Sequence, residues 1–206
     1  MPHLLLATTN QGKLRELVPL LAGCGWELVT PAEVGLARED FPEEDGESYR
    51  ANAILKARAA AQATGLVALG EDSGLEIDAL GGTPGPLSAR FLGPEATYQE
   101  RFRYILERLQ GLPPERRSAR FRCLMAVAAP GREEVHVVEG ICSGFIALEP
   151  RGEGGFGYDP IFYLPARMAT MAELPLHEKN VLSHRAQAAW RLRPLLRQLL
   201  YRWEGR

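Results

Sequence analysis

The chain has 206 residues, of which 46% are hydrophobic and 24% charged, a composition typical of a globular protein with enough chain for a real core. A formal net charge of -2 and the lack of a Lys/Arg block argue against a large nucleic-acid interface, and no apolar stretch is long enough for a signal peptide or a membrane span. The three cysteines are widely spaced and form no CxxC pair, so we expect reduced thiols in a cytoplasmic protein.

The hydrophobic pattern predicts alternating strands and helices, then two long strands and a final helix. The predicted strands cover residues 3–8, 26–30, 66–70, 118–129 and 134–148. Four helices are predicted. The first starts at about residue 11, the second spans residues 48–64, the third starts at residue 97 and the fourth spans residues 183–203. Thr97 and Glu100 have capping-box spacing, and Pro130-Gly131 favours a hairpin turn between the two long strands. We therefore expect an α/β fold with a mixed sheet. The length fits one domain or two small ones, and because no convincing linker is present we predict a single domain of residues 1–206.

The first candidate site follows the first strand, in TTNQGKLREL. Thr8, Thr9 and Asn10 are short and polar, Gly12 permits close backbone approach, and Lys13 lies at the start of a helix. Free N–H groups, the helix dipole and an ammonium together suit a phosphate. The alternative is a plain N-cap by Thr9 or Asn10 with a solvated lysine.

The second candidate is FPEEDGESYRANAILKARAA. Ser48, Asn52 and Lys56 are four residues apart and share one helix face, with Glu43 and Glu44 in the loop before it. One interpretation places Lys56 against a polyphosphate and a loop carboxylate against a metal ion, and the other is a solvated polar stripe beside an acidic loop. Lys13, Lys56 and Lys179 are the only lysines among 24 basic residues, so each is a candidate for a place that needs a compact ammonium.

The third candidate is GEDSG, where an apolar run ends on two adjacent carboxylates. Burying either of them unpaired is costly. Hard oxygen ligands such as Asp72 and Glu43 suit Mg²⁺, which usually binds one or two carboxylates together with substrate phosphates. The alternative is a strand-end turn in which Asp72 caps the following backbone.

Two further candidates lie near the C-terminus. In GGFGYDPIF, three glycines surround Phe156, so the ring could stack on a base while Asp159 accepts hydrogen bonds from it. In HEKNVLSHRAQA, His184 and Arg185 fall in the first turn of the last helix, where the dipole disfavours cations and an anionic or carbonyl-bearing partner fits. The alternative for the first stretch is a glycine-rich turn with a core Phe. The alternative for the second is that His184 and Arg185 are simply solvated.

The motifs TTNxxK, NAxxKA, EDSGL, GGFGYDP and SHR follow one another along the chain, together with GGTPGPLSAR. In this order the sequence resembles the inosine triphosphate pyrophosphatase family, from Thr8 to the last helix. The resemblance implies an elongated two-lobed α/β fold around a central mixed β-sheet with flanking helices and an inter-lobe active-site cleft. It also implies a homodimer that hydrolyses nucleoside triphosphates such as ITP, dITP and XTP to the monophosphate and pyrophosphate with Mg²⁺.

The resemblance also implies roles for single residues. Glu43 and Asp72 match the metal positions, Asp72 is also the expected proton acceptor, and Lys56 assists catalysis. The implied substrate-binding residues are Thr8, Thr9, Asn10, Gln11, Gly12, Lys13, Ser73, Phe156, Gly157, Tyr158, Asp159, Lys179, His184 and Arg185. The chain departs from the family at Ala51, where a carboxylate is common, so Glu43, Glu44 or Glu71 would carry more of the metal-supporting role.

Two other functions fit parts of this pattern. One is a sister pyrophosphatase for modified pyrimidine nucleotides, against which GGFGYDP and SHR favour a purine pocket. The other is a non-catalytic nucleotide sensor. The presence of Asp72 and of the three lysines argues against a sensor. We expect a nucleoside triphosphate as the partner, and neither nucleic acid nor a membrane.

Overall fold

The structure is a computed structural model and describes residues 1–42 and 48–204, without the side chains of 201–204. Within those residues the chain forms seven β-strands and five α-helices, linked in part by 3₁₀ turns. The strands are β1 (His3–Leu6), β2 (Glu27–Val29), β3 (Val67–Ile77), β4 (Ser118–Ala128), β5 (Val135–Ile146), β6 (Phe162–Leu164) and β7 (Ala169–Thr170). The helices are α1 (Gln11–Leu21), α2 (Tyr49–Thr64), α3 (Tyr98–Arg108), α4 (Leu176–Leu182) and α5 (His184–Glu204).

The strands form one open sheet in the order β2-β1-β3-β4-β5-β6-β7. Strand β1 pairs in parallel with β2 and β3, so that Leu4 lies opposite both Leu28 and Val67. Strand β6 pairs antiparallel with β5 and β7. The sheet is therefore mixed and flanked by helices, which confirms the predicted fold class. No helix in the described part of the chain is long and apolar enough to cross a membrane.

The chain divides into two compact units. Unit 1 comprises the described residues of Met1–Asp72, Cys123–Gly140 and Arg185–Arg206. Unit 2 comprises Ser73–Arg122 and Ile141–His184. Strands β3, β4 and β5 contribute residues to both units. The single domain and the inter-lobe cleft expected from the sequence stay predictions.

Unit 1 has an apolar core on each face of its strands, because successive side chains of a strand point to opposite faces. Leu4 and Leu6 of β1 pack in a cluster with the leucines of α1 and α5. Leu5 and Ala7 pack in a second cluster with the alanines of α2. Unit 1 is thus a layered arrangement, with α1 and α5 on one face of the strands and α2 on the other.

Helix α2 lies unusually close to β3 at Gly70. A Cβ at that glycine would lie 2.1 Å from the carbonyl oxygen of Ala53 and 2.6 Å from the backbone nitrogen of Ala57. The face of the helix that packs on the strand carries small alanine side chains, so the two backbones can approach closely. This close approach places the polar members of the same helix face, Asn52 and Lys56, beside the residues that follow Gly70.

Unit 2 is built around a core that includes Phe102, Ile105 and Phe162. Helix α3 begins with the predicted capping box, in which Thr97 accepts from the backbone of Glu100 and Glu100 accepts from the backbone of Thr97. Within GGTPGPLSAR, the Ser88 hydroxyl accepts from the backbone N–H of Leu75. This motif is therefore tied to β3 by a buried hydrogen bond.

The predicted end of the third strand at residue 70 is wrong. Strand β3 continues through Glu71 and Asp72 to Ile77, and both carboxylates are buried. A strand can carry two adjacent charges into the interior only where each finds partners. The neighbouring elements of unit 1 supply those partners.

Candidate functional site

Glu71 and Asp72 avoid each other because they are successive residues of a strand and point to opposite faces of the sheet. Glu71 contacts Lys13 of α1 and Arg185 of α5, as expected for the face that those helices cover. Asp72 contacts Asn52 and Lys56 of α2 on the other face. Each anion thus has its own set of donors.

Glu71 contacts two cations and one thiol. Its Oε2 lies 2.8 Å from Nζ of Lys13, while its Oε1 accepts hydrogen bonds from Nη2 of Arg185 at 3.0 Å and Sγ of Cys123 at 3.3 Å. Burial alone would raise the pKa of Glu71, but the charges of Arg185 and Lys13 outweigh burial and hold that pKa well below its usual range. The metal-supporting role considered for Glu71 stays a prediction, and in this structure its two oxygens face an ammonium and a guanidinium.

The pKa of Lys13 is shifted upward, opposite to that of Glu71. Burial would lower the pKa of its ammonium, but the charges of Glu71 and Asp72 raise that pKa above its ordinary value. Its side chain is 14% exposed, so the charged end is only partly sheltered. Lys13 is therefore a fixed positive charge at the start of α1.

Asp72 is held by two side chains that are four residues apart on α2. Its Oδ2 accepts a hydrogen bond of 2.9 Å from Nδ2 of Asn52, and its Oδ1 lies 3.6 Å from Nζ of Lys56. All three side chains are buried. The predicted shared face of Asn52 and Lys56 is confirmed, and it is turned to Asp72 because Ala53 and Ala57, which follow these two residues, pack against the strands.

The loop between β1 and α1 presents polar groups beside this pair of clusters in unit 1. Asn10 caps α1, its Oδ1 accepting from the backbone N–H of Lys13 at 3.1 Å, and Thr8 accepts from the backbone N–H of Asn10 at 3.2 Å. Thr9, Asn10 and Gln11 are exposed, whereas Gly12 is buried. The N-cap that was the alternative interpretation is present. The first turn of α1 therefore also carries the ammonium of Lys13.

Asp72 is the predicted metal ligand that the structure describes, whereas Glu43, and Glu44 beside it, lie outside the described residues. No group of three or more His, Cys, Asp or Glu side chains within residues 1–42 and 48–204 is arranged to hold a metal ion. A single oriented carboxylate nevertheless fits an ion that takes most of its ligands from substrate phosphates and water. The donor set of unit 1 therefore suits a hard divalent cation that arrives with a polyphosphate.

In unit 2 the residues of GGFGYDP converge on one carboxylate. Asp159 Oδ2 accepts the backbone N–H of Phe156 at 2.8 Å and also pairs with Nζ of Lys179. The same ammonium lies 5.1 Å from the centroid of the Phe156 ring, within the range of a cation–π contact. Gly155 makes this turn possible, because its φ is +69° and a Cβ there would lie 2.0 Å from Asp159 Oδ2.

The remaining predicted residues of unit 2 have different surroundings. Ser73 and Gly157 are half-buried. Tyr158 packs in the core and donates its hydroxyl to the carbonyl of Ser88 at 2.9 Å, and burial raises its pKa. The ring of His184 stacks on Phe121, with centroids 4.7 Å apart. The structure thus brings Phe156, Asp159 and Lys179 together, and the substrate contacts of the others stay predictions.

The sequence analysis missed Glu16. This residue is 2% exposed on α1, and its Oε2 accepts a hydrogen bond of 2.5 Å from Nη1 of Arg185. Arg185 is itself buried, and both of its terminal nitrogens donate to carboxylates of unit 1. The available signal was the position of Glu16 on the leucine-rich face of an amphipathic helix, where a charge needs a partner.

Comparison with protein families matches residues 4–195 to the Ham1 family. This chain belongs to the Ham1 family. The Ham1 match spans both compact units, and it confirms the family resemblance drawn from the motifs. Among its curated relatives, the dITP/XTP pyrophosphatase of Desulforamulus reducens is 46% identical over 95% of this chain and 96% of its own length. The dITP/XTP pyrophosphatase of Yersinia pseudotuberculosis is 48% identical over 91% and 94% of the two chains.

Solved Ham1 structures have the same fold. The HAM1 protein of Coxiella burnetii superposes with a TM-score of 0.85 at 42% identity, covering 96% of this chain and 100% of that one. A nucleoside-triphosphatase / dITP/XTP pyrophosphatase of Mycobacterium abscessus gives a TM-score of 0.72 at 41% identity, covering 95% and 100%. The order of strands and helices described above is therefore that of a Ham1 protein.

Proposed function

We propose that this protein is a Mg²⁺-dependent nucleoside triphosphate pyrophosphatase that acts on deaminated purine nucleotides, namely ITP, dITP and XTP. The products are the nucleoside monophosphate and pyrophosphate. The observation that carries the proposal is the buried Asp72 carboxylate, oriented by Asn52 and Lys56. Relatives of nearly full length that are named dITP/XTP pyrophosphatase support the substrate class.

In the proposed reaction, a water molecule attacks the α-phosphorus in line with the bond to the leaving pyrophosphate. Asp72 accepts the proton of that water as the new P–O bond forms. The bridging oxygen between the α- and β-phosphorus leaves with the electron pair of the broken bond. Lys13 and Lys56 stabilise the charge that develops on the leaving group.

We assign the triphosphate to the residues of unit 1 that surround Lys13. The exposed Thr9, Asn10 and Gln11 and the first turn of α1 offer hydrogen-bond donors and the positive end of the helix dipole. Asp72, with Glu43 as predicted, would hold Mg²⁺ together with the phosphates. When bound, that ion supplies charge neutralisation at the phosphate oxygens.

We assign the base to the residues of unit 2 that surround Phe156. The ring offers stacking that does not depend on base identity, and the ammonium of Lys179 is a donor for a 6-oxo group. His184 and Arg185 are predicted as further donors at the start of α5. A site built from donors accepts the 6-oxo group of inosine and xanthosine and leaves the amino group of adenine unpaired, a mismatch worth roughly 10⁴ or more in kcat/KM.

The test is a panel of nucleoside triphosphates with Mg²⁺, assayed for pyrophosphate and for phosphate separately. We expect equimolar monophosphate and pyrophosphate from ITP, dITP and XTP, with ATP and dUTP as very poor substrates. Release of single phosphates, or equal turnover of ITP and ATP, would contradict the proposal. Tight nucleotide binding without any turnover would favour a nucleotide sensor. The homodimer implied by the family resemblance is checked separately by analytical ultracentrifugation.

A further inference from the structure

Unit 2 contains a surface cavity that takes no part in the proposed reaction. Its volume is about 550 Å³, within the range of about 300–1,000 Å³ typical of small-molecule sites. None of the residues assigned above to the phosphates, the metal ion or the base is among the described residues that line it. Much of its wall is apolar and is formed by Pro114, Phe145, Ile146, Leu148, Tyr163 and Pro165.

The wall of this cavity also includes a buried cation, Arg117. Arg117 is 3% exposed and donates three hydrogen bonds, all to backbone carbonyls: to Leu109 and Ile146 at 2.9 Å and to Ala147 at 2.7 Å. Within the described part of the chain no carboxylate oxygen lies within 4.0 Å of its guanidinium. An arginine is seldom buried without an anion, so this environment needs an explanation.

The three carbonyls orient the guanidinium of Arg117 but do not neutralise it, because a carbonyl is a dipole without net charge. Leu109 is the C-cap of α3 and Ile146 is the last residue of β5, so two elements hold the charged group in place. Burial lowers the pKa of Arg117, but a guanidinium stays charged at neutral pH. Three of its five N–H donors are used, which leaves two for a further acceptor.

The other charged residues on the wall leave this buried cation without an anion. Glu115 and Glu149 are exposed, so water and salt screen their charges. Arg151 is also exposed and adds a second positive charge, with its Nε 3.6 Å from Oε2 of Glu173. The sheltered part of the cavity therefore combines an apolar wall with one fixed positive charge, that of Arg117.

We propose that this cavity is a second ligand site, which binds a small organic anion with an aromatic or aliphatic body. The carboxylate or sulfonate of such a ligand accepts from the remaining N–H groups of Arg117, whose planar fork suits an oxyanion. The body of the ligand covers apolar side chains such as Phe145 and Leu148, which removes them from water. Because Arg117 is almost fully buried, a small anion reaches it more easily than the surface of a macromolecule does.

The first experiment measures whether the site requires the anion. The probe is anilinonaphthalene sulfonate, and its neutral counterpart is phenylnaphthylamine, the same ring system without the sulfonate. Fluorescence titration of the folded wild type should show one saturable site, with the sulfonate bound about tenfold more tightly, the scale of a charged hydrogen bond. Equal affinity for the two probes overturns the proposal, because it indicates apolar surface alone.

The second experiment places the probe in the cavity by changing the sign of a charge on its wall. Leu148 is 74% exposed, so Leu148→Glu and Leu148→Arg should both fold. We expect the Glu variant to bind the sulfonate about fivefold more weakly and the Arg variant about fivefold more tightly, the effect of one unit charge at close range in water. Loss of affinity in both variants, or a change in neither, overturns the proposal.

Leu87→Glu is the matched control, because Leu87 is an exposed leucine of unit 2 that is not among the described residues on the cavity wall. Its affinity for the sulfonate should equal that of wild type, and a loss equal to that of Leu148→Glu overturns the proposal.

Two other occupants have their own signatures. Displacement of the sulfonate by excess tripolyphosphate places the probe in the candidate site of unit 1 and overturns the proposal. Weaker probe binding at higher protein concentration, together with a lower sedimentation coefficient for Leu148→Glu, assigns the cavity to a second copy of this chain and also overturns it. The expected result is no displacement and an affinity that does not depend on protein concentration. The proposal does not rest on the proposed function, since none of these measurements uses turnover.

Discussion

Asn52 donates a hydrogen bond of 2.9 Å from its side-chain amide to Oδ2 of Asp72, and both side chains are buried. Lys56, one helical turn later, lies 3.6 Å from the other oxygen of the same carboxylate. Helix α2 therefore orients the Asp72 carboxylate from one side, as the proposed proton acceptor requires. This arrangement underlies the first prediction.

Asp72→Asn should lower kcat by about 10²–10⁴, the range typical of a lost general base, because the amide has the same shape but cannot take up a proton. Nucleotide binding, measured by calorimetry, should fall much less. The matched control is Asp78→Asn, which removes a half-exposed carboxylate that pairs with Arg120 in unit 2. A kcat close to that of wild type for Asp72→Asn would remove this residue from the reaction.

Lys13→Ala should weaken triphosphate binding by roughly 10- to 100-fold, the range expected for a charged hydrogen bond. Monophosphate binding should change little if Lys13 faces only the leaving phosphates. Arg15→Ala serves as the control, since Arg15 is an exposed cation on the same helix that donates to the carbonyl of Gln11. Equal losses for monophosphate and triphosphate would place Lys13 elsewhere in the site.

Gly155→Ala should disrupt the contacts of Asp159 in unit 2, because the new Cβ would lie 2.0 Å from its Oδ2. Gly157→Ala is the control for stability: its φ of +64° is similar, but the nearest atom to its Cβ would be the Tyr98 hydroxyl at 3.6 Å. Both changes incur about 1–2 kcal/mol for a left-handed residue. Urea unfolding should show a clearly larger loss for Gly155→Ala, and equal losses would show that Asp159 adapts without strain.

The three thiols should resist modification in the folded protein. Cys24, Cys123 and Cys142 are all buried, and burial raises the pKa of Cys142 to about 11 and that of Cys123 well above its usual range. With a pKa near 11, about one Cys142 thiol in a thousand is ionised at pH 8. A thiol-disulfide reagent should therefore react rapidly with three thiols in denaturant and with almost none before unfolding. Fast stoichiometric reaction of the native protein would contradict this.

The sequence predicted those parts of the site that depend on local spacing. Asn52 and Lys56 share a face because they are four residues apart, and Thr97 caps α3 because Glu100 follows at the right distance. The short elements β6, β7 and α4 were not predicted, since two to seven residues are too few to show a period.

The sequence failed where a charge depends on a distant partner. Strand β3 was predicted to end before Glu71, because adjacent carboxylates usually indicate solvent. In the structure Lys13, 58 residues earlier by the numbering, and Arg185, 114 residues away, make burial possible. Glu16 was missed for the same reason: its position among the leucines of α1 indicates that a partner is needed, but not that this partner is Arg185 at the other end of the chain.

The pairing of the lysines has a practical consequence for labelling. All three lysines contact carboxylates: Lys13 with Glu71, Lys56 with Asp72 and Lys179 with Asp159. Their side chains are 14%, 10% and 2% exposed, so a lysine-reactive dye meets no freely exposed lysine side chain.

Lysine acylation thereby reports on the ion pairs of the candidate site in this chain. Because Glu71 holds Lys13 as an ammonium, incorporation at Lys13, followed by peptide mass spectrometry, should be slow in the folded protein and should rise when Glu71→Gln removes the ion pair. Arginine supplies the surface cations instead, and it leaves such a reagent untouched.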